Sequence, residues 1–243
     1  MLKKAFLLLL VLFLFISCLS INSTRNNLGK VVIFSFDDGP DEHTTPLLLD
    51  VLKRHEIKAM FFLLGVNAEQ FPDIVKRMHE EGHIIVNHGY YDKQAGLMKD
   101  EEFTENLLLG EEAISSALGI DFYPRLYRPH GGYYTQQHER ILIDRGYSIV
   151  SANIRVYDAV KTSASRRQIV KQIVRNVIRT GGGIILLHDA RGIFSRKEIE
   201  IKKNPDGPFN RLWIVDVVDE VIVSLLDKGF TLHHPDLLAA AGF

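Results

Sequence analysis

The stretch Val31-Val32-Ile33-Phe34-Ser35-Phe36-Asp37-Asp38-Gly39-Pro40 decides how the rest of this chain is read. Its apolar and β-favouring residues read as a buried strand, and the strand ends on two adjacent acids ahead of a Gly-Pro turn. Neighbouring carboxylates at the end of an apolar strand repel unless a cation or a proton relieves them. One acid holding a metal while the other stays free as a base satisfies that requirement. The competing reading takes both as helix-capping and turn-forming acids.

Outward from this strand, short β-rich runs alternate with helical periodicity. Strands are expected at 31–36, 59–63, 84–86, 126–128, 148–152 and 183–187, and helices at 45–55, 68–80, 101–118, 136–144, 166–179 and 212–227. The alternation predicts an α/β fold with a mostly parallel sheet, open or closed as a barrel. Periodicity does not choose between the two. In either, the loops leaving the carboxyl ends of the strands converge on one face, so polar residues at strand ends are the candidates for chemistry.

Three further strands end this way. Gly82-His83-Ile84-Ile85-Val86-Asn87-His88 is followed four positions on by Asp92, and imidazole and carboxylate are good ligands for first-row divalent ions. Asp38, His88 and Asp92 are therefore the candidate metal set. His83, an odd offset from His88, would leave the opposite face of the strand and is expected to be structural. Leu126-Tyr127-Arg128-Pro129-His130-Gly131-Gly132 supplies a cation suited to a carboxylate, then a glycine turn with open N–H groups. Gly183-Ile184-Ile185-Leu186-Leu187-His188-Asp189 ends on a histidine, whose ordinary pKa near neutrality suits a proton donor.

With 243 residues, 46% of them hydrophobic, the chain is long enough for one core. Its 29 basic residues are scattered among 30 acidic ones, which leaves no basic stripe for nucleic acid. Lys3 and Lys4 precede an apolar run, Ala5 to Ile16, in the layout of a secretory signal over residues 1–20. That run is shorter than the roughly 20 residues that span a bilayer. Cys18, the single cysteine, sits where a lipidated cysteine would stand, although Phe15 occupies a position that usually holds Leu. Secretion and lipid anchoring through Cys18 are both open, with residues 21–29 as a tether, 30–243 as the domain, and a monomer expected. Arg191 to Arg211, charged and broken by Pro205, Gly207 and Pro208, reads as a long surface loop.

Taken together and in this order, the four strand ends resemble the NodB-type polysaccharide deacetylases, the fourth carbohydrate esterase family. The similarity runs from about Val31 to Leu232 and includes Lys58-Ala59-Met60-Phe61-Phe62-Leu63-Leu64-Gly65 and Asp227-Lys228-Gly229-Phe230. The resemblance implies a distorted (β/α) barrel of about seven strands and removal of N-acetyl groups from an amino-sugar polymer such as peptidoglycan or a chitin-like glycan. It implies Asp37 as general base, Asp38 and His88 as ligands of one divalent ion, Arg128 as the partner of Asp37, His188 as general acid tuned by Asp158, and the Gly131 N–H as oxyanion donor.

The sequence also departs from the family's pattern. Asp92 stands where a second histidine is usual, and the resulting Asp-His-Asp set would shift preference from zinc toward manganese, iron or cobalt. His130 replaces a proline and Gly131 an aromatic, Arg155 replaces an acid and Ala159 a tryptophan. These changes touch the substrate wall, where Tyr133, Tyr134 or Tyr157 are the candidates to pack a sugar ring. The rival expectations are a degenerate relative that binds glycan without cleaving it, and a hydrolase of another non-peptide amide.

Overall fold

The computed structural model describes residues 30–121, 125–191, 204, 207 and 209–232. The stretches read above as a signal and a tether, Cys18 and most of the 191–211 stretch lie outside the described residues.

Among the described residues eight strands make one sheet: β1 (Val31–Asp37), β2 (Met60–Leu63), β3 (Ile84–Asn87), β4 (Leu126–Tyr127), β5 (Ser148–Ile149), β6 (Ile154–Arg155), β7 (Gly183–His188) and β8 (Thr231–Leu232). Seven run in the order β5-β4-β3-β2-β1-β7-β6, and β8 pairs with the start of β1. Every pairing is parallel. The helices are α1 (Thr44–Arg54), α2 (Gly65–Gln70), α3 (Pro72–Glu80), α4 (Asp100–Leu118), α5 (Gln136–Asp144), α6 (Arg166–Thr180) and α7 (Trp213–Leu226).

The path of seven strands begins at β5 and ends at β6, yet these two are joined by residues 150–153 alone. That link reaches at most about 18 Å, whereas the outer strands of a flat seven-stranded sheet would stand about 29 Å apart. The sheet must therefore curl, and it forms a half-barrel. Alternation then sorts the side chains of β1. Val32, Phe34 and Phe36 join the core under the helices, with Leu48, Leu52, Ile214 and Val218. Ile33 faces the barrel interior, with Met60, Phe62, Val86 and Ile184.

Three elements differ from the sequence expectation. The single helix expected over 68–80 is two, because Phe71 leaves helical geometry and Pro72 begins a new helix; proline lacks the N–H that would continue the first and suits a first turn. β6 and β8 are not among the expected strands, since two residues carry no alternation. Among the described residues no helix is long and apolar enough to cross a membrane.

Candidate metal centre and active site

Parity carries the site from the sheet. Asp37 shares the inward face of β1 with Ile33 and Ser35, and His188 shares that of β7 with Ile184 and Leu186. The two are register partners at the carboxyl ends of adjacent strands. Arg128, just past β4, reaches Asp37 across the interior: its Nη1 donates to Asp37 Oδ1 at 2.5 Å and to Ser35 Oγ at 3.0 Å, and its Nε to the Val150 carbonyl at 3.1 Å. Its guanidinium lies 3.5 Å from the centre of the Phe62 ring. Burial lowers the pKa of Arg128 while Asp37 opposes that shift.

Asp38 leaves the strand with a φ of 73°, left-handed geometry that Asp tolerates better than most residues. Asn67 fixes the turn by donating to the Asp38 carbonyl at 2.8 Å. The Asp38 carboxylate is buried, and its Oδ1 accepts no hydrogen bond. Burial would raise its pKa, but His130, His88 and the His188 charge hold it well below the usual carboxylate range.

His88 shows what the cluster is built to receive. Its Nδ1 lies 2.6 Å from the Arg128 carbonyl, which can only accept, so in the neutral ring the proton is on Nδ1. The Nε2 lone pair then faces Asp38 Oδ1 at 3.5 Å and Asp37 Oδ2 at 3.8 Å, acceptor against acceptor. His130 Nε2 carries at most one hydrogen, yet it stands 3.4 Å from Asp38 Oδ1 and 3.2 Å from Asp92 Oδ1. The ligand atoms of Asp38, His88 and His130 all lie within 4.8 Å of one another. Ligands of a tetrahedral ion with bonds near 2.1 Å are about 3.4 Å apart, so this donor set fits a divalent cation.

The sequence named Asp38, His88 and Asp92 for that set. The structure brings Asp38 and His88 together and places His130 beside them, with the Asp92 carboxylate against His130. His130 had been read only as a substituted proline. A histidine two residues past a strand-end arginine was the available signal, but nothing local shows that the turn after β4 folds over the end of β3.

On the other side of Asp37, the His188 Nδ1 lies 3.0 Å from Asp158 Oδ1, and the His188 N–H donates to Asp158 Oδ2 at 3.0 Å. Arg211, 1% exposed, locks this pair: its Nη2 donates to Asp158 Oδ2, and its Nη1 and Nε donate to the carbonyls of Asp158 and His188 at 3.0 and 3.1 Å. Burial works against a charged His188, but Asp158 and then Asp38 and Asp37 raise its pKa to about 9. Burial likewise works against ionised Asp158, and His188 and Arg211 outweigh it to hold the pKa low. Arg211 was expected only as the end of a surface loop.

Asp37, Asp38, His88, Asp92, Arg128, His130 and His188 line one cleft of about 460 Å³, as does Gly131. Gly131 has a φ of 78°, and a Cβ there would stand 2.9 Å from the Gln94 side chain. Tyr134 and Tyr157 line the cleft, while Tyr133 lies with its ring over Gly96. His83 is structural: its Nδ1 accepts from the Ala59 N–H at 3.2 Å, and burial lowers its pKa to about 4.

The polysaccharide deacetylase family model matches residues 24–150. A peptidoglycan-N-acetylglucosamine deacetylase of Bacillus cereus is 36% identical over 200 residues, which is 82% of this chain and 64% of that protein, so this chain spans slightly less than two thirds of that relative. A chitooligosaccharide deacetylase of Bradyrhizobium is 31% identical over 216 residues, covering 87% of this chain and 94% of the relative. The crystal structure of the Bc1960 peptidoglycan N-acetylglucosamine deacetylase superposes with a TM-score of 0.68 at 30% identity, over 86% of this chain and 87% of that one. A family model that matches just over half of the chain, a relative more than 30% identical along nearly its whole length and a solved structure with the same curled parallel sheet place this protein in the polysaccharide deacetylase family.

Proposed function

We propose that this protein is a metal-dependent hydrolase that removes N-acetyl groups from an amino-sugar polymer of the cell envelope, a peptidoglycan or chitin-like glycan. The observation that carries the reading is the register pairing of Asp37 with His188 beside the Asp38, His88 and His130 cluster. It puts an acid held by Arg128 and a histidine held protonated by Asp158 on either strand of one pair. The names of the Bacillus and Bradyrhizobium relatives support the same substrate class.

Asp38, His88 and His130 would hold a divalent ion, with Asp92 as an adjoining oxygen donor, and such an ion supplies Lewis acidity that acidifies water and polarises an acetamide carbonyl. Asp37 takes a proton from the attacking water, and Arg128 fixes the direction of its carboxylate. The water oxygen bonds to the acetamide carbon, and the charge that gathers on the carbonyl oxygen meets the Gly131 N–H. His188 gives its proton to the sugar nitrogen as the C–N bond breaks, because an amide anion is too basic to leave. The products are acetate and a free amino sugar. His130 restores a second imidazole to the donor set, so zinc suits it as well as manganese, iron or cobalt, and Asp92 tips the balance toward the harder ions. The leader and Cys18 fit export to the envelope, secreted or lipid-anchored, and the protein acts there as a monomer.

Incubating metal-loaded protein with N-acetylated glycans and reading the products by mass spectrometry tests this. The expected result is loss of one acetyl mass per event, absent with Asp37→Asn. Glycan binding without any acetate release would establish a non-catalytic relative instead.

A further inference from the structure

The cleft is not electrically uniform. Its acids are accounted for: Asp37 pairs with Arg128, Asp38 belongs to the cluster that would hold the ion, and Asp92 lies against His130. Two of its arginines are not. Arg155, at the end of β6, is exposed and donates its Nε to the Ala152 carbonyl at 3.1 Å. Its Nη1 lies 3.7 Å from where a Cβ on Gly132 would sit, so the guanidinium crosses the cleft toward the turn that carries Gly131. Arg191, past β7, donates to the Ala159 carbonyl and lies 5.0 Å from the centre of the Phe209 ring. Among the described residues neither forms an ion pair with a carboxylate, and both line the cleft. Arg155 also stands close enough to Arg128 to oppose its charge. Arg155 and Arg191 thus bring positive charge to the cleft with no carboxylate partner among the described residues, and an anion from outside would neutralise it.

We infer that Arg155, with Arg191, forms an anion subsite that selects glycans carrying a carboxylate on the sugar next to the N-acetylglucosamine being deacetylated. The inference rests on the deacetylase reading and narrows it to an acidic polymer. A guanidinium anchored through one nitrogen to a carbonyl keeps its remaining N–H groups for the fork geometry a carboxylate accepts. Alternating N-acetylglucosamine with a lactyl-ether sugar presents such a carboxylate beside each reacting residue, whereas a chitin oligomer presents none.

The test compares two tetrasaccharides with the full-length, metal-loaded protein: neutral tetra-N-acetylchitotetraose, and a tetrasaccharide in which alternate sugars carry a lactyl carboxylate. The wild type is expected to favour the acidic substrate in kcat/KM, and added salt to erode that preference. In Arg155→Gln the acidic-to-neutral ratio is expected to fall about tenfold, the loss of one partly exposed charged hydrogen bond, with the change carried by KM. Arg191→Gln, which alters a different element, is expected to lower the same ratio by less. A ratio unchanged in both variants, or a wild type indifferent to the carboxylate, overturns the inference while leaving deacetylation standing. If the wild type releases acetate from neither substrate, the deacetylase reading falls. Calorimetric binding of the two tetrasaccharides to Asp37→Asn then decides the subsite alone: tighter binding of the acidic one supports it, and equal binding overturns it.

Discussion

Asp37 and His188 occupy matched positions on adjacent strands, yet the protein supports them differently. Asp37 is held from across the barrel by Arg128, which borrows Ser35, the Val150 carbonyl and the Phe62 ring to fix its own place. His188 is held from beneath by Asp158 and Arg211, an ion pair with both side chains fully buried. The base side is an arrangement of strand ends, and its geometry follows from the sheet. The acid side depends on two loop-borne charges whose desolvation is repaid only while both are present. One half of the site is thus fixed by the fold, and the other half helps to hold the fold.

Removing the two chemical groups gives the largest effect and tests whether the halves are equals in catalysis. Asp37→Asn and His188→Ala are each expected to lower kcat by about 10²- to 10⁴-fold, with metal content by atomic emission unchanged in both. A His188→Ala enzyme within a few-fold of wild type would remove His188 from the proton transfer.

Arg211→Met separates the halves in stability. It breaks a fully buried ion pair, leaving His188 as the remaining charged partner of Asp158, and is expected to cost about 3 kcal/mol, read as a lower urea midpoint. Surface cations such as Arg54, paired with the half-exposed Asp219, supply the control, since an exposed pair contributes about 1 kcal/mol or less. Equal losses in the two variants would contradict a structural role for Arg211.

How legible these halves were in the sequence follows the same division. Strand ends announce themselves: an apolar run that stops at Asp37, His88 or His188 predicts where the side chain lies, because alternation and the parallel sheet do the rest. Arg128 lies against Asp37 and Asp158 against His188, and no local pattern marks either contact without the family resemblance. What a local pattern does not encode is which turn folds over which strand end. His130 and Asp92 are far apart in sequence and meet only because β3 and β4 are neighbours, and Arg211 reaches Asp158 from a segment whose charged text reads as solvent-facing. The break at Pro72 departs from the expected single helix even though its signal is local, since proline opens helices more readily than it continues them.

The metal side yields the next prediction. His130→Ala is expected to weaken divalent-ion affinity by about 100-fold, and Asp92→Ala by about 10-fold, in the range seen when partners of metal ligands are lost. Titration of a Co(II) derivative, followed by its visible spectrum, distinguishes them, because loss of an imidazole changes the ligand field more than loss of an adjoining carboxylate. The reverse ranking would make Asp92 the third ligand in place of His130.

The smallest effect at neutral pH comes from uncharging the support of His188. Folding raises the His188 pKa to about 9, chiefly through Asp158 against the cost of burial, so the proton donor stays loaded through neutrality and activity should fall only as pH rises through that value. The stability this proton contributes is fully present below the unfolded pKa of about 6.5 and is lost as pH rises toward 9. In Asp158→Asn the alkaline limb of kcat should move down toward 6.5, while activity measured near pH 6 changes least. The base side provides the contrast: Arg128→Met removes the guanidinium that aims Asp37 and should depress kcat at every pH without moving that alkaline limb. If both variants shift the limb equally, the two halves are one coupled proton network rather than a base set by the sheet and an acid set by a buried ion pair.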